Sequence, residues 1–151
     1  MTTIAPVNVS SITKTLVATL QKFPALEGVR IERSEDADAD PNSGAYVGVY
    51  RMGVQYPIRA MGMGGGFRDQ RIRMLILARA SDPNSGEACE LALETLVRNI
   101  LTALFSDNTL GGVIGMLDEF EVDYTRYDRS GTVYSQTAQI QFVAITNTTV
   151  S

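Results

Sequence analysis

The fold is decided by residues 118–145, which read DEFEVDYTRYDRSGTVYSQTAQIQFVAI. In the first half, apolar residues at 120, 122 and 124 alternate with acidic ones. In the second half, apolar residues at 138, 140, 142 and 144 alternate with mostly polar ones. A period of two places successive side chains on opposite faces of a strand. With the turn-forming residues 128–131 between the halves, the stretch predicts a long β-hairpin that buries one face.

The second face of this hairpin carries a distinctive polar set. Glu121 and Asp123 lie on its first strand, and Gln139, Gln141 and Val143 lie on its second. No catalytic constellation accompanies these residues, so we expect this face to meet solvent, a neighbouring subunit or another partner.

The side-chain inventory disfavours an enzyme. The chain has no histidine to activate its serine and threonine hydroxyls, and it lacks the Gly-x-Ser-x-Gly elbow of serine hydrolases. With no histidine and one cysteine, a transition-metal site has almost no ligands. We therefore predict no catalytic residue, no metal and no cofactor, and we expect a structural or assembly role.

Composition predicts a single domain over residues 1–151. A chain of 151 residues, 44% of them hydrophobic, is long enough to bury one core. We expect residues 1–8 to form an extended arm and residues 146–151 a frayed polar tail. The net charge of −4 disfavours a protein that grips nucleic acid.

No stretch of the sequence predicts a membrane segment or a signal peptide. The apolar runs are shorter than the ~20 residues that cross a bilayer, and the N-terminus lacks a basic region followed by an apolar one. We expect a protein made and used in a cytoplasm-like compartment. Cys89 falls within the apolar pattern of a helix, so we expect it to be a buried small side chain.

Outside the hairpin the pattern predicts two helices and three further strands. One helix runs from Ser10 or Ser11 to about Phe23, where Pro24 stops it. The second begins at Pro83 or Ser85 and ends before residues 107–112. The strands are predicted at 29–33, 45–52 and 71–79. The chain is therefore an α+β protein with two layers. A mostly antiparallel four- to five-stranded sheet packs against two α-helices, with long inter-strand loops.

Two loops invite ligand-binding interpretations that their spacing does not support. The loop at 34–44 contains Glu35, Asp36, Asp38 and Asp40, but an EF-hand register started at Asp36 has no central glycine and no final glutamate. The connection at 53–70 contains the run 62–66, whose glycines miss the dinucleotide fingerprint. We expect both loops to dock on a partner, the second through four side chains: Met61, Met63, Phe67 and Arg68.

Basic residues are concentrated on one predicted strand. Arg71, Arg73 and Arg79 lie at odd positions, hence on one face, and Arg68 precedes them. Such a stripe either contacts phosphates or pairs with carboxylates such as Glu121 and Asp123. The acidic balance of the protein favours pairing within the sheet or with a neighbouring subunit.

The sequence resembles the tail terminator proteins of tailed bacteriophages, the gpU-like minor tail proteins. The similarity covers roughly residues 9–146. It rests on the element order, the length, and the segments GEACELA (86–92), FEVDYTRYD (120–128) and GTVYSQTAQIQF (131–142).

The resemblance implies a virion protein at the head-proximal end of the tail, assembled in the host cytoplasm. It implies a homo-oligomeric ring, a hexamer, that caps the tail tube and stops its polymerisation. The partners implied are the tail tube protein, the head-completion or neck connector protein and, in a contractile tail, the sheath; DNA passes through the lumen as cargo. On this interpretation the subunit or lumen face contains seven residues: Glu121, Asp123, Gln139, Gln141, Val143, Arg71 and Arg73.

Two other interpretations fit the same sequence. One is a head–tail connector or neck protein of the same assembly. The other is a small ligand-binding α+β domain that uses the glycine-containing loop 62–67 over a pocket; it predicts a monomer or dimer stabilised by a small molecule.

Overall fold

The structure is a computed structural model, and it describes residues 9–33, 45–55, 66–112, 114–125, 128–130 and 133–150. Two helices are present, α1 (Val9–Lys22) and α2 (Gly86–Ser106), with a 3-10 turn at Pro24–Leu26. The strands are β1 (Arg30–Arg33), β2 (Tyr46–Gln55), β3 (Gly66–Asp82), β4 (Met116–Tyr124), β5 (Asp128–Ser130) and β6 (Val133–Val150).

The strands form one mixed sheet in the order β1-β2-β3-β6-β4, with the short β5 also paired to β6. The β1–β2 pair is parallel and all other pairs are antiparallel. The predicted two-layer α+β class is confirmed. β3 and β6 form its centre, because they pair from Gly66 opposite Val150 to Asp82 opposite Tyr134.

Both helices pack on one face of the sheet, called here the inner face. Leu16 and Leu20 of α1 and Leu93 and Ile100 of α2 are fully buried. They pack in one cluster with inner-face residues of four strands: Val47, Val49, Ile72, Met74, Ile76, Leu117, Ile140 and Phe142. At the β4 side, Phe120 stacks on Phe142 at 5.2 Å and meets Phe105 edge-on at 5.0 Å.

Three sequence predictions about loops and ends are wrong. Residues 128–130, predicted as a turn, form β5, since their backbone pairs with the start of β6 at Val133–Ser135. Residues 146–150, predicted as a frayed tail, continue β6 because they pair with residues 66–70. The predicted connection at 53–70 is shorter at both ends, because β2 continues to Gln55 and β3 begins at Gly66.

A β-bulge interrupts the pairing of β4 with β6. The register shifts between Asp118 and Glu121, and Glu119 has a left-handed backbone conformation, with φ of 58°. An extra residue in one strand changes which face the following side chains occupy. For this reason Leu117 and Phe120, three positions apart, both pack toward the helices.

Candidate functional site: the outer face of the sheet

All seven residues predicted for a subunit or lumen face lie on the outer face, the sheet face opposite the helices. Across the strands, Asp123 is opposite Gln139, and Glu121 is opposite Gln141. On the next strand pair, Arg73 is opposite Val143, and Arg71 is opposite Ile145. Glu121, Asp123 and Arg73 are exposed, whereas Val143 is buried. The pairing of β3, β6 and β4 thus builds one mixed surface from the predicted residues.

One arginine of β3, Arg71, pairs with a carboxylate, and that carboxylate is neither Glu121 nor Asp123. Arg71 Nη2 lies 2.5 Å from Glu119 Oε2, so the partner is Glu119 in the bulge. The Glu119 side chain is 56% exposed, so solvent screens this ion pair and its stability contribution is small. The bulge turns the Glu119 carboxylate toward β3.

A shallow cavity lies beside this ion pair. Its volume is ≈ 230 Å³, and Arg73, Glu119 and Glu121 supply its charged groups. Met52, Gln141 and Val143 line the rest of the opening, with Met74 and Phe142 also contributing. Two carboxylates and one guanidinium give this cavity an acidic balance, which does not favour a phosphate ligand.

Arg79, the third arginine of the predicted stripe, lies on the same outer face but toward the opposite end of β3 from Arg71. Its guanidinium carbon and that of Arg30 are each 5.9 Å from the ring centre of Tyr46, which is 4% exposed. Burial raises the pKa of Tyr46. The Tyr46 hydroxyl lies against Gly48, where a Cβ would come within 3.1 Å of it. No sequence pattern predicts that Tyr46 is packed, because its contacts depend on which strands lie beside β2.

The predicted docking loops are only partly described. Glu35, Asp36, Asp38, Asp40, Met61 and Met63 lie outside the described residues. Phe67 and Arg68 were predicted in a loop and instead lie in β3, opposite Thr149 and Thr148 of β6. Backbone pairing with β6 places both residues in the sheet, so the prediction of a loop is wrong for them, and their docking on a partner stays a prediction.

The remaining candidates for chemistry have structural roles. Cys89 is fully buried, and its Sγ donates a hydrogen bond to the Ala80 carbonyl at 3.3 Å. Burial raises the pKa of this thiol, and Asp82 adds to the effect. Among the described residues, no three His, Cys, Asp or Glu side chains cluster in a way that could hold a metal. No helix in the described part of the chain has the length and apolarity needed to cross a membrane.

No family model and no curated protein sequence matches the chain. Among solved structures, it is similar to the sheath/tube terminator of the extracellular contractile injection system PVC, determined by cryo-EM in the extended state. The TM-score is 0.51 at 13% sequence identity. The match covers 93% of this chain and 56% of that chain, so the present chain spans little more than half its length. The similarity shows that this chain has the fold of a sheath/tube terminator.

Proposed function

We propose that this chain is a non-enzymatic structural protein that ends a tail tube. The observation that carries the proposal is the fold shared with a sheath/tube terminator over 93% of the chain. The absence of histidine from the sequence adds support, because most hydroxyl nucleophiles depend on such a base. The cavity on the outer face and the groove beside α2 are both open, in contrast to the enclosed pocket of a typical small-molecule site.

The proposed working form is a homohexameric ring, as in the gpU-like terminators that the sequence resembles. A closed ring needs a heterologous interface, in which two different patches of the same subunit meet head to tail. The two-layer fold supplies two such patches, since the helices cover the inner face and the outer face remains a separate surface. Ile145, partly exposed next to the buried Val143, gives the outer face apolar surface suited to subunit contact.

The acidic side of the outer face suits a passage for DNA. Glu121 and Asp123 are exposed side by side with Gln139 and Gln141. Carboxylates and amides offer phosphates no cationic partner, so a lumen lined by them would let DNA slide without gripping it. The ring would contact the tube protein on one side and the neck connector on the other. In a contractile tail it would also contact the sheath.

Electron microscopy of the purified protein, alone and mixed with tail-tube assemblies, tests the proposal. We expect rings of about six subunits, or density that caps one end of each tube. Tubes that grow to unregulated length without the protein and to uniform length with it would support termination. A monomer or dimer that leaves tube ends bare and tube length unchanged would overturn the proposal.

A further inference from the structure

β4 forms one edge of the sheet, and within the described part of the chain no strand pairs with the outward side of its residues 120–124. The Thr125 N–H donates to the Thr137 carbonyl at 2.9 Å, and this bond shows which residues of β4 direct their backbone groups toward β6. In an antiparallel pair, alternate residues direct their backbone groups to the partner strand and away from it. Asp123 and Glu121 therefore pair with β6, whereas the backbone groups of Val122 and Tyr124 point out of the sheet.

The beginning of the same strand is closed. The Leu117 N–H points out of the sheet but donates to both the carbonyl and the side-chain oxygen of Asn108, at 3.0 and 3.1 Å. The bulge at Glu119 then interrupts the strand. The open edge is thus residues 120–124, about the length of an average strand.

Two exposed aromatic side chains flank the open edge on its helical side. Phe105 is 58% exposed and Tyr124 is 50% exposed. Between them, β4 and α2 form an open groove of ≈ 430 Å³ whose apolar lining includes Val97 and Leu101. A strand added to the open edge would place every second side chain over this groove.

The charges around the open edge are mainly acidic. Glu121 and Asp123 are exposed on the outer side, and Glu94 lines the groove on the helical side, with Arg98 as its basic residue. Glu90 and Glu94 line an adjoining cavity together with Tyr124. An incoming strand would therefore be favoured by lysine or arginine side chains facing Glu121 and Asp123, with apolar ones facing the groove.

Acidic residues and bulges also protect edge strands from unwanted pairing. Protection from unwanted pairing does not explain why the side chains of Phe105 and Tyr124 are left half-exposed at this edge, because exposed aromatic side chains increase the tendency to associate. We infer that the open edge of β4, with the groove beside it, binds an extended segment of another protein that alternates basic and apolar residues. This surface shares Glu121 and Asp123 with the outer face proposed for the ring, but its test uses the single subunit and does not require rings.

The probe is a capped peptide of about six residues that alternates lysine and valine, long enough to pair with the open edge. Its binding is followed by NMR titration and by amide hydrogen exchange. We expect saturable shifts at β4 and α2, and slower exchange of the Val122 and Tyr124 amides. A glutamate–valine peptide should bind at least about tenfold more weakly, because charge complementarity is lost.

Matched variants separate the contributions of backbone and side chain. Tyr124→Ala removes the aromatic ring. Tyr124→Pro removes the ring and also the outward backbone N–H, and edge strands tolerate proline at such a position. We expect Tyr124→Pro to bind about fivefold more weakly than Tyr124→Ala, the effect of one lost backbone hydrogen bond. Leu91→Ala, also exposed on α2 but not part of the groove lining, should bind like the unmodified protein.

If Tyr124→Pro does not fold, the lysine–valine peptide is instead compared with a version in which every second backbone amide is N-methylated. Both peptides are tested on the unmodified protein, and the N-methylated one lacks the backbone N–H groups that would pair with the open edge. Three results would overturn the inference: shifts that map away from β4, equal binding of the lysine and glutamate peptides, or unchanged binding of the N-methylated peptide. Self-association lost in Tyr124→Ala would assign the edge to a second copy of this chain and overturn it as well.

Discussion

At the scale of single residues, Glu119 determines how β4 presents its charges. Its φ of 58° lies in the left-handed region, which costs an L-residue roughly 1–2 kcal/mol. The Arg71 ion pair offsets little of this cost, because the carboxylate is more than half exposed. The strain is therefore maintained by the packing on both sides of the bulge, where Leu117 and Phe120 join the same core.

We predict that Glu119→Gly is more stable than Glu119→Ala by about 1 kcal/mol. Both variants lose the ion pair with Arg71, but only glycine adopts a positive φ without steric cost. Urea denaturation of the two variants measures the difference in free energy of unfolding. Equal stabilities would show that the backbone at residue 119 is not held in the left-handed region.

Cys89 leads to a pH-dependence prediction. Burial raises the pKa of its thiol in the folded state above that in the unfolded state. The stability that this pKa difference contributes to the folded state is fully present below the unfolded-state pKa of about 8.5. It is lost as pH rises through the folded-state pKa. We expect the native protein to react with thiol reagents at the rate of unfolding.

The comparison for this prediction is the Cys89→Ala variant. Its free energy of unfolding should fall less between pH 8 and pH 10 than that of the unmodified protein, because the titrating group is gone. Rapid modification of Cys89 in the folded protein, before any loss of structure, would contradict the burial on which the prediction depends.

At the scale of elements, α2 combines a side-chain N-cap, an acidic first turn and a buried face. Ser85 is its N-cap, since the Ser85 Oγ accepts a hydrogen bond from the Ala88 N–H at 3.1 Å. Glu87 lies in the first turn, where its charge complements the helix dipole. Seven buried residues of α2 then face the sheet: Cys89, Leu93, Leu96, Val97, Ile100, Ala103 and Leu104.

We predict that Ser85→Ala lowers the free energy of unfolding by about 1 kcal/mol, the usual contribution of an N-cap. The matched control is Ser106→Ala at the other end of α2, where the exposed hydroxyl donates to the Thr102 carbonyl. The control should change stability by less than about 0.5 kcal/mol. Thermal or chemical denaturation monitored by circular dichroism measures both, and equal effects would refute the capping role of Ser85.

At the scale of the whole molecule, the two faces of the sheet differ in kind. The inner face is covered by both helices, whereas the outer face carries exposed charges around the buried Val143 and the partly buried Ile145. A subunit with one covered and one chemically mixed face is suited to head-to-tail assembly. In the proposed ring the outer face is one of the two contact patches, and the helical layer is the other.

We predict that Glu121→Lys combined with Asp123→Lys abolishes ring or tail assembly without unfolding the subunit, because both side chains are exposed. Glu27→Lys combined with Glu87→Lys changes the net charge equally at exposed sites away from the outer face, and it should assemble normally. Electron microscopy and tail-completion assays read out assembly, and circular dichroism checks the fold. Normal assembly of the first variant would exclude this part of the outer face from any role in the ring.

The sequence by itself determined the α+β class, the two helices and the faces of the hairpin strands. The period-two and helical patterns are local, and burial of one face follows directly from them. It also placed Gln139, Gln141 and Val143 on one face of their strand, because their positions differ by two. The seven predicted residues reached one surface once β3, β6 and β4 paired.

The tertiary structure alone decided where pairing begins and ends. Residues 66–70 and 146–150 become strand because each supplies the other's hydrogen-bonding partner, a long-range relation that no local pattern carries. In the same way, Glu119 as the partner of Arg71, Tyr46 between two arginines and the open edge at 120–124 depend on strand order. Strand order is set by packing across the whole domain, so it becomes visible only when the sheet is assembled.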